Sequence, residues 1–422
     1  MPTAHPGAST TTSAEAHRTT GCRRYAEIMK TKHNTRLRYT AALALLATLP
    51  SQVSAQDGTT EYIEPSTFDQ IWGHAVLYKD DLNPILQEFK LRGRYHGQYW
   101  NVDADQGTQS DWEDRRSRIG FDAKLFEKKL EVRADFQSND GFRDFYDGIV
   151  DAYIRWKPKS WLSITAGKTK PLIGQYDWLE STTSQPTFER SQIFNQLGVN
   201  RASALTVEGT YQAYSWRAGV YSNDTPNNTG GSGSFGDGEF GDFNGGISYS
   251  LGVGYDFKQI LNLEKADLKL DWLHSDRKAS DLVMGRYDDI ISTTFAMKEG
   301  DAALVLEGFH ASGGDGNNTD VFGFFIQPTY DILPKKVQLV ARYSYANSEG
   351  PLGVVGQNRY ERTVASKGGR GDAYHALYGG AQYFIYGDKL KLMAGAEWSK
   401  IENDSGDSYD GVTLLTGIRF AF

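Results

Sequence analysis

Hydrophobic and polar residues alternate one by one along most of this chain. A period of two sorts side chains onto the opposite faces of an extended strand. The pattern is sharpest over residues 89–125, which read as a hairpin. On its first arm Phe89, Leu91, Tyr95 and Tyr99 share one face, and Lys90, Arg92, Arg94, His96 and Gln98 share the other. On its second arm Ile119, Phe121, Ala123 and Leu125 oppose Arg116, Arg118, Asp122 and Lys124. A soluble sandwich would bury the apolar face and wet the charged one. A membrane barrel would turn the apolar face to lipid and line a wet lumen with the charged one.

The rest of the chain decides between them. Strand-like segments are expected at about 85–100, 112–126, 129–138, 147–157, 161–170, 201–211, 215–222 and 246–257. More follow at about 265–275, 288–298, 301–311, 320–331, 336–346, 372–386, 389–400 and 411–422. They make sixteen strands, an even number as a single-chain bacterial barrel requires. Their connections alternate in length. Short turns fall at 127–128, 158–160, 212–214, 299–300, 333–335 and 387–388. Long polar loops fall near 101–111, 171–200, 223–245, 276–287 and 348–371. Outer-membrane barrels have tight periplasmic turns and longer extracellular loops, whereas a sandwich has no reason to alternate. The predicted fold is all-β, a transmembrane antiparallel β-barrel of the bacterial outer membrane.

The closing strand fits this reading. Val412, Leu414, Ile418, Phe420 and Phe422 point outward and Arg419 inward, and the chain ends on an aromatic residue. That ending resembles the C-terminal signal read by the barrel assembly machinery. Trp100, Trp156, Trp161, Tyr386 and Trp398 lie near strand ends and are expected in the interfacial girdles.

Composition agrees, with 45 Gly, 24 Tyr, 21 Phe and 9 Trp against 12 Pro. The negative mean hydropathy is no obstacle, because about every second strand residue of a barrel faces water. A basic stretch at 29–38, an apolar run at 41–47 and the small-x-small site Val53-Ser54-Ala55 read as a signal peptide over 29–55. Residues 1–28 then read as an extension from a misassigned start, with Met29 the true one. Residues 56–84 read as an irregular periplasmic lead-in, and 85–422 as the barrel. Cleavage after Ala55 removes Cys22, the only cysteine, and with it disulfides, thiol chemistry and cysteine zinc sites. The acidic balance, -8 for the full chain, argues against a nucleic-acid partner.

The candidate chemistry is a cationic lumen. Projecting the alternation inward gives Lys90, Arg92 and Arg94 on the first strand, Arg116 and Arg118 on the second, Arg133 on the third and Arg155 on the fourth. Lys168 and Lys170 end the fifth. Strands about 4.8 Å apart would merge these rows into one wall. Guanidinium groups keep their charge, grip phosphate or carboxylate through paired hydrogen bonds, and lower the barrier to anions. Asp114, Asp122, Glu131, Asp135 and Asp151 share these strands. Were they to pair with the arginines, the pore would be a general or organic-solute porin without strong selectivity. The stretch 171–200 is long and aromatic, so it is expected to fold inward and narrow the pore, with a lid on the rim as the other reading.

Other chemistry finds little support. His74, His96, His274, His310 and His375 show no metal-ligand spacing, and no cofactor motif occurs. The G-x-G-x-x-G at 231–236 has no helix after it, and the acidic loops at 236–242 and 315–318 lack a calcium ligand set. No G-x-S-x-G elbow supports an outer-membrane lipase.

Three stretches carry a family resemblance: Arg115-Arg116-Ser117-Arg118-Ile119-Gly120-Phe121, Gly167-Lys168-Thr169-Lys170-Pro171, and Gly417-Ile418-Arg419-Phe420-Ala421-Phe422. In these, and in strand and loop layout over most of 85–422, the chain resembles the phosphate-selective porins O and P. The resemblance implies a homotrimeric sixteen-stranded pore whose basic constriction admits phosphate or related small anions.

Overall fold

In a computed structural model, which describes residues 66–138, 145–223, 243, 245–276, 284–314, 320–348, 350–404 and 406–422, the alternating segments form one closed wall. The strands are β1 Leu86–Ala104, β2 Gly107–Leu125, β3 Leu130–Ser138, β4 Ile149–Lys159, β5 Leu162–Thr169, β6 Ala202–Tyr211, β7 Tyr214–Ser222 and β8 Ile247–Asp256. They continue as β9 Lys265–Ser275, β10 Asp289–Glu299, β11 Ala302–Ser312, β12 Val321–Leu333, β13 Val337–Ser348, β14 Ala373–Tyr386, β15 Leu390–Glu402 and β16 Tyr409–Ala421. Each pairs antiparallel with its neighbour. β16 returns to β1, setting Gly411 opposite Ala104 and Ala421 opposite Arg94. Closure has a physical cause: lipid cannot hydrogen-bond the backbone, so strands cross it only as a sheet without edges.

The two faces differ as the alternation requires. On β1 Leu91 and Tyr99 are exposed, while His96, Gln98, Trp100 and Val102 are buried. The exposed set, including Trp156, Trp161, Leu251, Trp272 and Trp398, forms the apolar outer wall. Trp100 departs from its expected place in a girdle. It lies on the inner face, 4% exposed, beside Tyr360, because it shares the parity of His96 and Gln98.

The first outer loop also differs. In place of a loop over 101–111, β1 and β2 run on as 19-residue strands joined at Asp105-Gln106. At about 3.3 Å per residue they far exceed the roughly 25 Å apolar band. Their ends therefore stand in water, and residues such as Asn101, Asp103, Ser110 and Asp111 are polar without being irregular.

The stretch expected to be irregular contains order from Ser66 onward. Ser66 and Asp69 form a capping box on helix α1, Thr67–Gly73. A short strand, Val76–Lys79, then pairs with β1 where β16 ends. The Trp72 indole Nε1 donates to the Ala421 carbonyl (2.6 Å), and Phe68, Trp72, Tyr386 and Phe420 cluster beside it. Residues 1–28, the signal peptide over 29–55, the start of the lead-in up to 65, and the loop motifs at 231–236, 236–242 and 315–318 lie outside the described residues.

The chain terminus seals the barrel. The Phe422 N–H donates to the Gly93 carbonyl and the Gly93 N–H to the Phe422 carbonyl. The Phe422 ring lies where a Gly93 side chain would stand, about 2.1 Å from an added Cβ. Gly93→Leu is therefore expected to evict the ring and slow barrel assembly. Heat-modifiable gel mobility during refolding measures it, and an unchanged rate would refute the role given to this contact.

Candidate functional site

A single segment, 170–201, packs against the inner faces of several strands. Pro171 stops β5, since it has no N–H for the ladder. Gly174 turns the chain at φ 63 into a π-turn at Gln175–Leu179. The Glu307 carboxylate on β11 accepts from the N–H groups of Tyr176 (2.9 Å) and Asp177 (2.8 Å), satisfying the orphan donors of that turn. Ser191 then caps helix α2, Gln192–Leu197, and its Oγ donates to Asp177 (2.5 Å). Burial holds the Asp177 carboxyl above the usual carboxylate range.

Side chains fasten the segment around the barrel. Arg342 on β13 donates to the Glu189 carbonyl (2.8 Å), Gln192 donates to the Val355 carbonyl (2.6 Å), and Arg115 forks onto Glu189 at 2.6 and 2.8 Å. Burial opposes the charge of Glu189, but Arg115 outweighs it and holds the carboxyl well below its ordinary range. Trp178, Phe188, Ile193, Phe194 and Leu197 pack with Phe309, Val340 and Tyr378 into one hydrophobic cluster. Contacts with strands so widely spread around a closed sheet put the segment inside the barrel. It fills the side of β10 to β15.

The other side stays open. A cavity of ≈ 560 Å³ is lined by Lys90, Arg92, Arg94, Arg118, Arg133, Arg155 and Lys170 from the expected set. Arg201, Arg217 and Lys389 join them, against Asp135, Asp151 and Glu208 and the terminal residue Phe422. Several cations are paired: Arg92 with Asp135 (3.0 Å), Arg133 with Asp122 (2.7 Å), Arg155 with Glu131 (3.6 Å), Arg201 with Asp151 (2.6 Å) and Arg217 with Asp271 (2.6 Å). Others have neutral partners. Arg94 donates to Thr182 and Ser181 (both 3.2 Å), Arg118 to Gln137 (2.9 Å), and the Lys170 ammonium to the carbonyls of Trp178 (2.6 Å) and Glu180 (3.2 Å). Lys90 has no ion pair among the described residues. The wall is thus partly neutralised, and Arg94 and Lys170 are held by neutral groups.

The Trp178 indole holds this cluster together. Its ring centroid lies 5.2 Å from the Lys170 ammonium, 4.8 Å from the Arg190 guanidinium and 5.5 Å from that of Arg201. The negative face of the ring offsets repulsion among cations packed so closely. Burial, with the charges of Arg201 and Arg190, pushes the Lys170 ammonium well below its ordinary pKa.

Two members of the expected set stand elsewhere. Lys168 pairs across the sheet with Ala152 and Ser203, on the face that carries Ile154 and Leu205, opposite the cavity-lining Thr165 and Thr169. A run of Gly-Lys-Thr-Lys has no apolar marker to fix its phase. Arg116 faces inward but is covered, at 5% exposure. It follows a bulge: Arg115 is the extra residue between the pairs His96–Arg116 and Gly97–Asp114. Strict alternation sends Arg115 outward, whereas the bulge brings it to Glu189. Arg217 could have been found, since it lies between the outward Trp216 and Ala218.

This geometry has relatives. Residues 89–259, from β1 past the end of β8, match the family model of the phosphate-selective porin O and P. Over this stretch the chain is similar to the outer-membrane porins of that family. The match spans the cationic wall and the inserted segment. Solved structures share the chain's fold. The anion-selective porin from Comamonas acidovorans superposes with a TM-score of 0.54 at 13% identity, over 79% of this chain and 99% of that one. Salmonella typhi OmpF gives 0.57 at 12% identity, over 82% and 100%. OmpT of Vibrio cholerae gives 0.52 at 14%, over 82% and 100%. No curated protein matches this chain by sequence.

Proposed function

We propose that this porin is a passive channel selective for small anions, with phosphate or a related oxyanion as its passenger. The observation that carries the reading is the one-sided lumen. The inserted segment confines passage to the wall of β1 to β7, where cations outnumber acids. An anion moving along that wall would meet Lys90, Arg92 and Arg118, and also Arg94 and Lys170, which donate to neutral oxygens that it can replace. Backbone carbonyls and hydroxyls hold these groups in place without cancelling their charge.

A general porin is the second reading, favoured by the ion pairs of Arg92, Arg133 and Arg201. Reversal potential across a planar bilayer under a KCl gradient separates the two. Anion selectivity with block by added phosphate supports the first reading, and a reversal potential near zero supports the second. The low pKa of Lys170 adds a signature. Anion preference is expected to decline as pH rises through the lowered pKa of Lys170, as the ammonium loses its proton. In Lys170→Arg the decline should vanish, because a guanidinium stays charged. A decline that persists in that variant would remove Lys170 from the pathway.

The same proposal places the porin in the outer membrane as a homotrimer, with its exposed apolar wall shared between lipid and sister subunits. The outward-facing terminal Phe422, at the end of the closing strand, suits docking to the barrel assembly machinery.

A further inference from the structure

We propose that a small inorganic anion resides between His96, Arg116 and Arg419, in a compartment closed off from the open cavity. The site lies beyond the proposed anion pathway, and its occupancy does not depend on the selectivity of that pathway.

The three residues stand at one level of the barrel. His96 on β1 pairs directly with Arg116 on β2 and with Arg419 on β16. All three share the inner face at the seam where the barrel closes. None is open to bulk water, with exposures of 0%, 5% and 1%. The inserted segment roofs them. Phe188 stacks 5.2 Å from the Arg419 guanidinium, and Arg419 Nη2 donates to the Phe188 carbonyl (3.3 Å) and to Gln98 (2.9 Å).

These acceptors leave other donors of the three residues unmet. Among the described residues nothing accepts from the Arg419 Nη1, and neither ring nitrogen of His96 has a partner. Arg116 has no hydrogen bond or ion pair among the described residues. The nearby carboxylates are engaged elsewhere. Glu189 takes both arms of Arg115, and Glu113 is held by Arg359 (2.5 Å) and Gln98 (2.7 Å).

Two buried guanidinium groups beside an unpartnered imidazole are costly to leave bare, and arginine does not escape by giving up its proton. Water could satisfy the donors but not the charge. A chloride or a phosphate would do both, accepting from Arg116, from Arg419 Nη1 and from one N–H of His96. Bound there, it would tie β16, β1 and β2 to residues 188–189 of the inserted segment.

The test uses the full porin, folded in detergent, crystallised from bromide and again from phosphate. An anomalous bromide peak within hydrogen-bond reach of Arg116 and Arg419 is expected, and oxyanion density in its place would identify phosphate as the stronger occupant. In thermal unfolding, exchange of gluconate for chloride at constant ionic strength should raise the Tm of the native porin and of Arg94→Met. It should not raise that of Arg116→Met or Arg419→Met. Bromide peaks confined to the cavity beside Arg94 and Lys170, with none among the three residues, would overturn the site. That crystallographic result needs no variant, so it holds even if both arginine variants fail to fold.

Discussion

Arg118→Glu should move the reversal potential of the porin toward the cation side, and Arg94→Glu should do the same. Both guanidinium groups line the open cavity, where Arg118 donates to Gln137 and Arg94 to Thr182 and Ser181. Opposite charges about 4 Å apart attract by about 1 kcal/mol even in water, so reversing the sign shifts an anion by about 2 kcal/mol, or roughly thirtyfold. Screening at high ionic strength reduces this to about a few-fold, so the effect should grow as salt is lowered. Arg419→Glu changes the same formal charge but sits 1% exposed behind Phe188. Its effect on selectivity should be several times smaller. Equal shifts from all three variants would mean that the open cavity is not the route of the ions.

The second large effect concerns conductance. Replacing residues 176–192 with a short Gly-Ser linker should raise single-channel conductance several-fold and weaken selectivity. The segment fills the side of β10 to β15 through Trp178, Phe188 and Ile193, and it supplies the carbonyls that hold Lys170. Removing it widens the path and releases the Lys170 ammonium together. Single-channel recording in about 1 M KCl reads the first change, and reversal potential reads the second. A porin with unchanged conductance would show that ions do not pass beside this segment. The cationic strand residues Arg94 and Arg118 stay in place in this variant, so some anion preference should survive.

Reading the cationic wall required only local information. Each strand carries its own alternation, and burial on one face and exposure on the other follow from a period of two. This is why sixteen strands could be placed within a few residues, and why Lys90, Arg92, Arg94, Arg118, Arg133 and Arg155 could be assigned to the lumen. The same logic failed where the phase slips or where polarity has another cause. The bulge at Arg115 re-aims that arginine, and no residue there announces it. Lys168 lies in a run without an apolar marker. The 19-residue arms of β1 and β2 look like loops because they rise beyond the apolar band into water.

By itself, then, the sequence determined the barrel, its strand count and the sign of the charge on its inner face, since these depend on residues two positions apart. Only the tertiary structure decided which of those charges meet an open cavity. Arg92 found Asp135, Arg201 found Asp151, and Arg116 was covered by a segment more than 70 residues away, at 188–189. Such pairings span strands and loops remote in the chain. They follow from where the inserted segment packs, which depends on the apolar contacts of Trp178, Phe194 and Phe309 across the whole lumen.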